Sequence, residues 1–232
     1  MAEQREAERK QQDMAPLFQE AGLLEQFNLP PKLIRFLRRN QRAIWGTITA
    51  AVVIALAIAA FNAYKNHRVY KAAVALDVAM QAQEGQRDLL HKVQDDFSAT
   101  PSALWAGIAL ARLDEQEGKL DAAIQKYQGV RAQLIASSQL TPLVLGKLAG
   151  LEEQKKNWDA ALAYYRELGQ IDGFAAGAHL SMGSIYEAQG NKDEALAMYR
   201  KFLELTAVTI EESGVDPRRQ MILSRVELLQ AK

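Results

Sequence analysis

The chain has 232 residues, with 28 Lys and Arg balanced by 28 Asp and Glu, and no Cys. The absence of cysteine excludes disulfides, thiolate metal ligands and cysteine nucleophiles. Because the charges balance and no basic face is visible, a nucleic-acid partner is not expected.

Residues 1–42 form an arm with a polar start and an apolar middle. Phe18, Leu24 and Phe27 lead to a break at Pro30-Pro31, after which apolar residues alternate with basic ones. Two interpretations remain open for this arm. It is either an interfacial anchor that binds anionic lipid headgroups, or a docking peptide for a cytosolic or membrane partner.

The stretch from Ala43 to Tyr64, AIWGTITAAVVIALAIAAFNAY, contains no charged residue. As a helix it would be roughly 33 Å long, enough to cross a bilayer core of about 30 Å. Trp45 and Tyr64 lie near its two ends, where aromatic belts form. We therefore predict a transmembrane helix over residues 43–64, with a cleaved signal peptide and a buried core helix as the alternatives.

The charges beside this stretch predict its orientation. Five basic residues lie between Lys32 and Arg42, and three follow at Lys65, Arg68 and Lys71. The positive-inside rule then keeps residues 1–42 in the cytoplasm and exports residues 65–232.

The exported domain, residues 65–232, shows no strand alternation and predicts an all-α fold. We expect the membrane helix to continue outward and to stop near Gly85, because no breaker precedes that glycine. Three later helices should begin with a capping side chain followed by proline at the first helical position. These starts are Thr100-Pro101, Thr141-Pro142 and Asp216-Pro217.

An internal repeat is the strongest signal after the apolar stretch. NWDAALAYYREL at 157–168 matches NKDEALAMYRKF at 191–202 with a period of 34 residues, and KLDAAIQKYQGV at 119–130 is a third copy. These copies resemble the tetratricopeptide repeat, a helix–turn–helix unit. Its pattern has a small residue at position 8, Tyr at 11, Gly at 15, Ala at 20 and an aromatic residue at 24. The chain has Ala111, Asp114, Gly118, Ala123 and Tyr127 in the first copy, Ala149, Glu152, Lys156, Ala161 and Tyr165 in the second, and Gly183, Tyr186, Gly190, Ala195 and Tyr199 in the third.

The wider layout, from the span to the closing helix PRRQMILSRVELL at 217–229, is similar to the ancillary subunit family of the SecYEG translocon. That resemblance implies a single-pass protein of the bacterial inner membrane with a periplasmic tetratricopeptide-like solenoid. It also implies protein partners, namely translocon subunits and periplasmic chaperones. The arm 1–42 departs from the family, whose cytoplasmic tail is usually shorter.

Catalytic patterns are nearly absent from the sequence. His91 has Asp88 and Asp95 at helical spacing, but a solvated helix face explains this better than a metal site. His179 falls at an inward repeat position, where we expect a packed and hydrogen-bonded histidine. Glu152 and Glu153 are adjacent, so on a helix their side chains diverge by about 100°. We therefore expect no enzyme activity, cofactor, metal or small-molecule substrate.

What remains is a surface for binding protein. In repeat arrays the first helix of each pair lines a groove. By repeat position, the groove residues should be Trp105, Ile108, Arg112, Glu115, Leu143, Glu153, Leu180, Ser184 and Glu187, with Gly146, Gly150 and Gly177 between them. Trp105 is either an exposed groove anchor or is packed against Phe97 and the helix over 86–96. Gly146 and Gly150 either let a ligand approach closely or accommodate neighbouring helices.

Three functions fit these features. The chain could be a membrane-anchored scaffold that links the Sec translocon to periplasmic chaperones or emerging polypeptides. It could instead be an envelope-sensing regulator that holds a cytosolic factor through residues 1–42, or a structural part of another envelope assembly.

Overall fold

The computed structural model describes residues 36, 39–135, 138–207 and 217–231. All regular elements within these ranges are α-helices, and no strand occurs among them. The prediction of an all-α fold is confirmed. The features predicted within residues 1–35, and the Asp216 cap, lie outside the described residues.

The described helices follow the predicted order along the chain. They are α1 Gln41–Gln81, α2 Gln86–Asp96, α3 Pro101–Gln116, α4 Leu120–Gln133, α5 Thr141–Gln154, α6 Trp158–Leu168, α7 Ala175–Ala188, α8 Lys192–Leu205 and α9 Pro217–Ala231. The pairs α3–α4, α5–α6 and α7–α8 coincide with the three repeat copies.

The first helix contains the apolar stretch and continues well past it. It runs unbroken over 41 residues and ends four residues before Gly85, as predicted. By length and composition it could cross a membrane. The large apolar side chains of the stretch over residues 43–64 are mostly exposed; Trp45 has 62% and Leu56 has 64% of its surface accessible. Contacts between residues divide the chain into two units, 1–64 and 65–232.

The turn inside each repeat has the same left-handed backbone at position 15. Gly118 has φ 74° and Gly190 has φ 80°, whereas the second repeat places Lys156 there with φ 61°. Glycine adopts this conformation without a steric penalty, but a side chain costs roughly 1–2 kcal/mol. The second repeat therefore holds a strained turn that its neighbours avoid.

Two of the predicted helix starts can be compared with the structure. The side chain of Thr100 accepts a hydrogen bond from the backbone N–H of Ala103 at 3.4 Å, so the first cap is confirmed. The predicted cap at Thr141 is wrong. Thr141 is already the first helical residue, Leu140 precedes it without a side-chain cap, and Thr141 Oγ1 donates to the carbonyl of Ile135 at 3.5 Å.

A tyrosine from the second helix of each repeat lies in the core between helices. Tyr127, Tyr165 and Tyr199 are buried, and each packs in a cluster that includes residues of the following first helix. Gly183 shows how close this packing is, because a Cβ added there would lie 2.5 Å from the ring of Tyr199. The small residue at position 8 is therefore required for the approach of α8.

The first repeat has Asp114 where the pattern expects tyrosine. Asp114 is buried and is paired with Arg87 of α2 at 2.7 Å and with Lys126 of α4. Burial would raise the pKa of this carboxyl, but the hydrogen bonds from Lys126 and Arg87 outweigh burial and lower it. Asp114, which departs from the repeat pattern, thus links α2 to the first repeat through its ion pairs.

The strained turn predicts a stabilising substitution. Lys156→Gly should raise the free energy of unfolding by about 1 kcal/mol, because glycine removes the side-chain clash of the left-handed turn, although it also adds freedom to the unfolded chain. The reciprocal change, Gly190→Lys, should destabilise by a similar amount. Urea unfolding of the full chain in detergent, followed by circular dichroism, measures both; equal midpoints for Lys156→Gly and the parent chain would contradict the argument.

The close approach of the Tyr199 ring to Gly183 predicts a destabilising substitution. Gly183→Ala should lower stability by about 1–2 kcal/mol, since overpacking outweighs the better helix propensity of alanine. Gly177 is the matched control, because it lies in α7 and a Cβ there would meet nothing within 4 Å. Gly177→Ala should leave the melting temperature unchanged or raise it. If both variants melt alike, the ring of Tyr199 does not require a glycine.

Candidate functional site

Three hollows follow one another along the first helices of the pairs, all within residues 65–232. Consecutive hollows share helix α3 or α5, and we call the row they form the groove. Hollow A has a volume of about 140 Å³, hollow B about 570 Å³ and hollow C about 400 Å³. Hollow A is lined by Leu76, Met80, Trp105, Ile108, Ala109 and Arg112; hollow B by Glu115, Pro142, Leu143, Gly146, Lys147, Gly150, Leu151, Gln154, Leu168 and Phe174; hollow C by Glu153, Leu180, Ser181, Ser184, Glu187, Tyr199, Met221, Ile222 and Arg225.

The structure places the sequence-predicted groove residues on the walls of these hollows. Trp105, Ile108 and Arg112 line hollow A, and Glu115 and Leu143 line hollow B. The remaining four line hollow C; they are Glu153, Leu180, Ser184 and Glu187. Their role in binding protein stays a prediction.

Hollow A brings together residues from the end of α1 and from α3. Trp105 lies beside Leu76 and Met80 with 45% of its surface exposed, whereas Ile108 is buried and belongs to the core. The exposure of Trp105 favours its placement as a groove residue. Leu76 and Met80 were missed by the sequence reasoning, although their spacing of four puts them on one face of a helix.

Each glutamate of the groove interacts with the tyrosine of its own repeat. Tyr165 donates a hydrogen bond to Glu153 Oε2 at 2.9 Å, and Tyr199 donates to Glu187 Oε2 at 2.8 Å. In the first repeat, burial raises the pKa of Tyr127 to about 12, and the charge of Glu115 adds to the shift. Each tyrosine thus packs its ring in the core, while its hydroxyl interacts with a glutamate of the groove.

Burial acts in the same direction on the other two tyrosines. It raises the pKa of Tyr165 to about 12, where the hydrogen bond to Glu153 also raises it and Ser181 opposes the shift. It raises the pKa of Tyr199 as well, and the hydrogen bond to Glu187 adds to the effect. All three hydroxyls therefore remain neutral donors at physiological pH.

Two of the three glutamates also have a cation from the next first helix. Lys147 Nζ of α5 lies 3.1 Å from both carboxylate oxygens of Glu115. The guanidinium of Arg225, on α9, lies 2.6 Å from Glu187 Oε1. Because Ile222 also packs against Tyr199, α9 occupies the place of a further first helix. It therefore ends the row of hollows.

Gly146 and Gly150 leave the floor of hollow B open. A Cβ at Gly150 would meet nothing within 4 Å, and one at Gly146 would meet only Leu168 Cδ2 at 4.0 Å. Neither glycine is needed for the packing of neighbouring helices. Of the two interpretations of this pair, the structure favours space for an approaching ligand.

The groups considered for catalysis do not converge. Glu152 is buried and accepts a hydrogen bond from Asn157 Nδ2 at 2.7 Å, while Glu153 faces the groove, so the pair diverges as predicted. Among the described residues, no group of three or more His, Asp or Glu could hold a metal ion.

The expectation of a hydrogen-bonded His179 is wrong. Its Nδ1 is buried and has no hydrogen-bond partner within the described ranges. Burial lowers the pKa of this imidazole, and the charge of Lys201 lowers it further. Burial and the nearby cation of Lys201 therefore favour the neutral ring.

Comparisons with known proteins agree with this architecture. The pattern of the family described as tetratricopeptide repeat-like domain matches residues 35–219. Among solved structures, BtubC (BKLC) from P. vanneervenii is similar with a TM-score of 0.53 and 15% identity, over 72% of this chain and 83% of that one. A tetratricopeptide repeat protein from Parabacteroides merdae has a TM-score of 0.52 and 17% identity, over 72% of this chain and 60% of that one. No curated protein matches in sequence.

The raised pKa of Tyr127 gives a pH-dependent prediction. The folded state holds the neutral hydroxyl, so the stabilisation is complete below the ordinary tyrosine pKa of about 10 and is lost as pH rises through about 12. Spectrophotometric titration of tyrosinate in the parent chain and in Tyr127→Phe isolates this group. The difference curve should have its midpoint near pH 12; a midpoint near the ordinary value would show that burial does not act on this hydroxyl.

Proposed function

Because this chain belongs to the tetratricopeptide repeat-like domain family, we propose that it is a membrane-anchored scaffold whose groove binds segments of other proteins. Repeats of this kind typically mediate protein–protein interaction. The observation that carries the proposal is the row of hollows along the first helices, in which bulky apolar side chains stay exposed. Trp105 is 45% exposed, Met80 43% and Leu143 40%.

The proposed membrane anchor is the apolar part of α1. Its side chains are exposed around the helix, and in water such a surface would be a large unprotected apolar patch. A bilayer covers this surface and leaves no backbone group unpaired, because the segment is helical. The family match begins at residue 35 and so includes this stretch as well as the repeats.

The orientation and the partners are proposed from the sequence. The excess of basic residues before the span favours a cytoplasmic N-terminus and a periplasmic repeat domain. The resemblance to the ancillary subunit family of the SecYEG translocon supports translocon subunits as neighbours of the span, with periplasmic chaperones or emerging polypeptides in the groove. Tethering would act by raising the local concentration of these partners beside the translocation site.

Crosslinked affinity purification of the full chain from bacterial membranes, read by mass spectrometry, tests the scaffold. Translocon subunits and exported proteins should be recovered with the parent chain. Trp105→Ala should lose several-fold of the exported proteins, because an exposed aromatic anchor is removed, and should keep the translocon subunits. Leu205→Ala is the matched control, since Leu205 is 48% exposed on α8 and lines none of the three hollows.

The same purification distinguishes the alternative function. An envelope-sensing regulator would recover a cytosolic factor that is lost on deletion of residues 1–31, with no translocon subunit in either sample. Equal recovery of exported proteins with the parent chain and Trp105→Ala would count against the groove as the binding surface.

A further inference from the structure

The three groove glutamates, which lie at repeat position 12, four residues after the small residue at position 8, differ in whether a cation pairs with them. Glu115 is paired with Lys147 and Glu187 with Arg225. Within the ranges that the structure describes, Glu153 has no cation within salt-bridge distance, and its hydrogen-bond donor is the neutral hydroxyl of Tyr165. The middle of the groove therefore contains a carboxylate whose charge is not balanced by a cation from the described residues.

The cation that pairs with Glu115 comes from a defined position in the following first helix. Lys147 lies two residues before Ala149, the small residue at position 8 of α5. The equivalent residue of α7, two before Gly183, is Ser181. Serine is uncharged and too short to reach Glu153 as an ion pair. Hollow C opens at this point, and its walls hold Glu153, Glu187 and Arg225, which leaves one negative charge in excess.

We infer that hollow C takes a Lys or Arg side chain from a partner polypeptide, which pairs with Glu153 as Lys147 pairs with Glu115. This inference rests on the proposed function of the groove and names the chemistry of its ligand. Charge complementarity carries it, since the groove supplies the carboxylate and the repeat supplies no cation for it. The hydroxyls of Ser181 and Ser184 on the same walls are acceptors for further N–H groups of the ligand.

The neighbouring hollow indicates what accompanies the basic side chain. Gly146, Gly150 and Glu153 follow one another on one face of α5, and Glu153 is about 4.5 Å of helix rise beyond Gly150. Hollow B is open above both glycines and is flanked by Leu143 and Phe174, which are 40% and 43% exposed. A bulky apolar side chain of the ligand fits there, next to the basic one.

The occupant is an extended segment of another protein. Separate hollows of about 140–570 Å³ accept side chains one at a time, as an extended chain presents them, whereas a folded surface needs a broad complementary patch. A second copy of this chain would instead require self-association that depends on Glu153, and light scattering distinguishes that outcome.

The test uses the full chain in detergent and a fluorescent peptide with a single Phe-Arg pair between glycine and serine residues. The same peptide with Gln or Glu in place of the Arg is the comparison. Fluorescence anisotropy should show the Arg peptide binding about fivefold more tightly than the Gln peptide, the strength of one partly exposed ion pair. The Glu peptide should bind most weakly.

Two variants then assign the preference to Glu153. Glu153→Gln keeps an acceptor for Tyr165 and should abolish the difference between the Arg and Gln peptides. Ser181→Lys places a cation at the position that Lys147 occupies in α5, so it should also abolish the difference while the melting temperature is unchanged or higher. Glu204→Gln, an exposed glutamate of α8 outside the groove, is the matched control and should keep the preference.

The outcomes separate this inference from the proposed function. Peptides that bind and weaken on Leu143→Ala, without any preference for Arg, overturn the inference and leave the scaffold standing. Peptides that fail to bind at all, together with unchanged recovery of exported proteins by Trp105→Ala, overturn both. Self-association in light scattering that Glu153→Gln removes shows a second copy as the occupant and overturns the partner segment.

Discussion

The packing of one helix pair on the next depends on the buried tyrosine at repeat position 24. Its ring lies against the small residue at position 8, as with Tyr199 and Gly183, and its hydroxyl reaches the glutamate at position 12. One side chain therefore fixes the distance between helices and also orients a carboxylate in the groove. Any change that moves the ring, such as a Cβ on Gly183, would alter the core and the groove together.

The two ends of the repeat array are built differently from its middle. At the start, Asp114 replaces the expected tyrosine and its buried carboxylate joins Arg87 of α2 to the first repeat. At the end, α9 packs on Tyr199 and supplies Arg225 to Glu187, so it behaves as the first helix of a further pair. Among the described residues, the groove glutamate without a cationic partner is Glu153, in the middle repeat.

The sequence predicted which residues line the hollows where repeat position decides the face of a helix that a residue occupies, and their role in binding stays a prediction. Trp105, Leu180 and the three glutamates lie on the groove walls because the period of 34 residues carries their placement from one copy to the next. The sequence-based predictions failed for two individual side chains, the helix cap at Thr141 and the hydrogen bond of His179. Thr141 begins the helix instead of capping it, and the buried Nδ1 of His179 has no hydrogen-bond partner among the described residues.

By itself, the sequence determined the all-α fold, the long apolar helix and the three repeats, because periodicity, charge gaps and turn residues are local properties. Tertiary structure decided which charges meet. That Arg87 and Lys126 both reach Asp114, that Arg225 reaches Glu187 from a helix outside the repeats, and that Glu153 is left without a cation within the described ranges depends on contacts between residues distant in sequence. Such pairings follow from how helices stack, which no local pattern specifies.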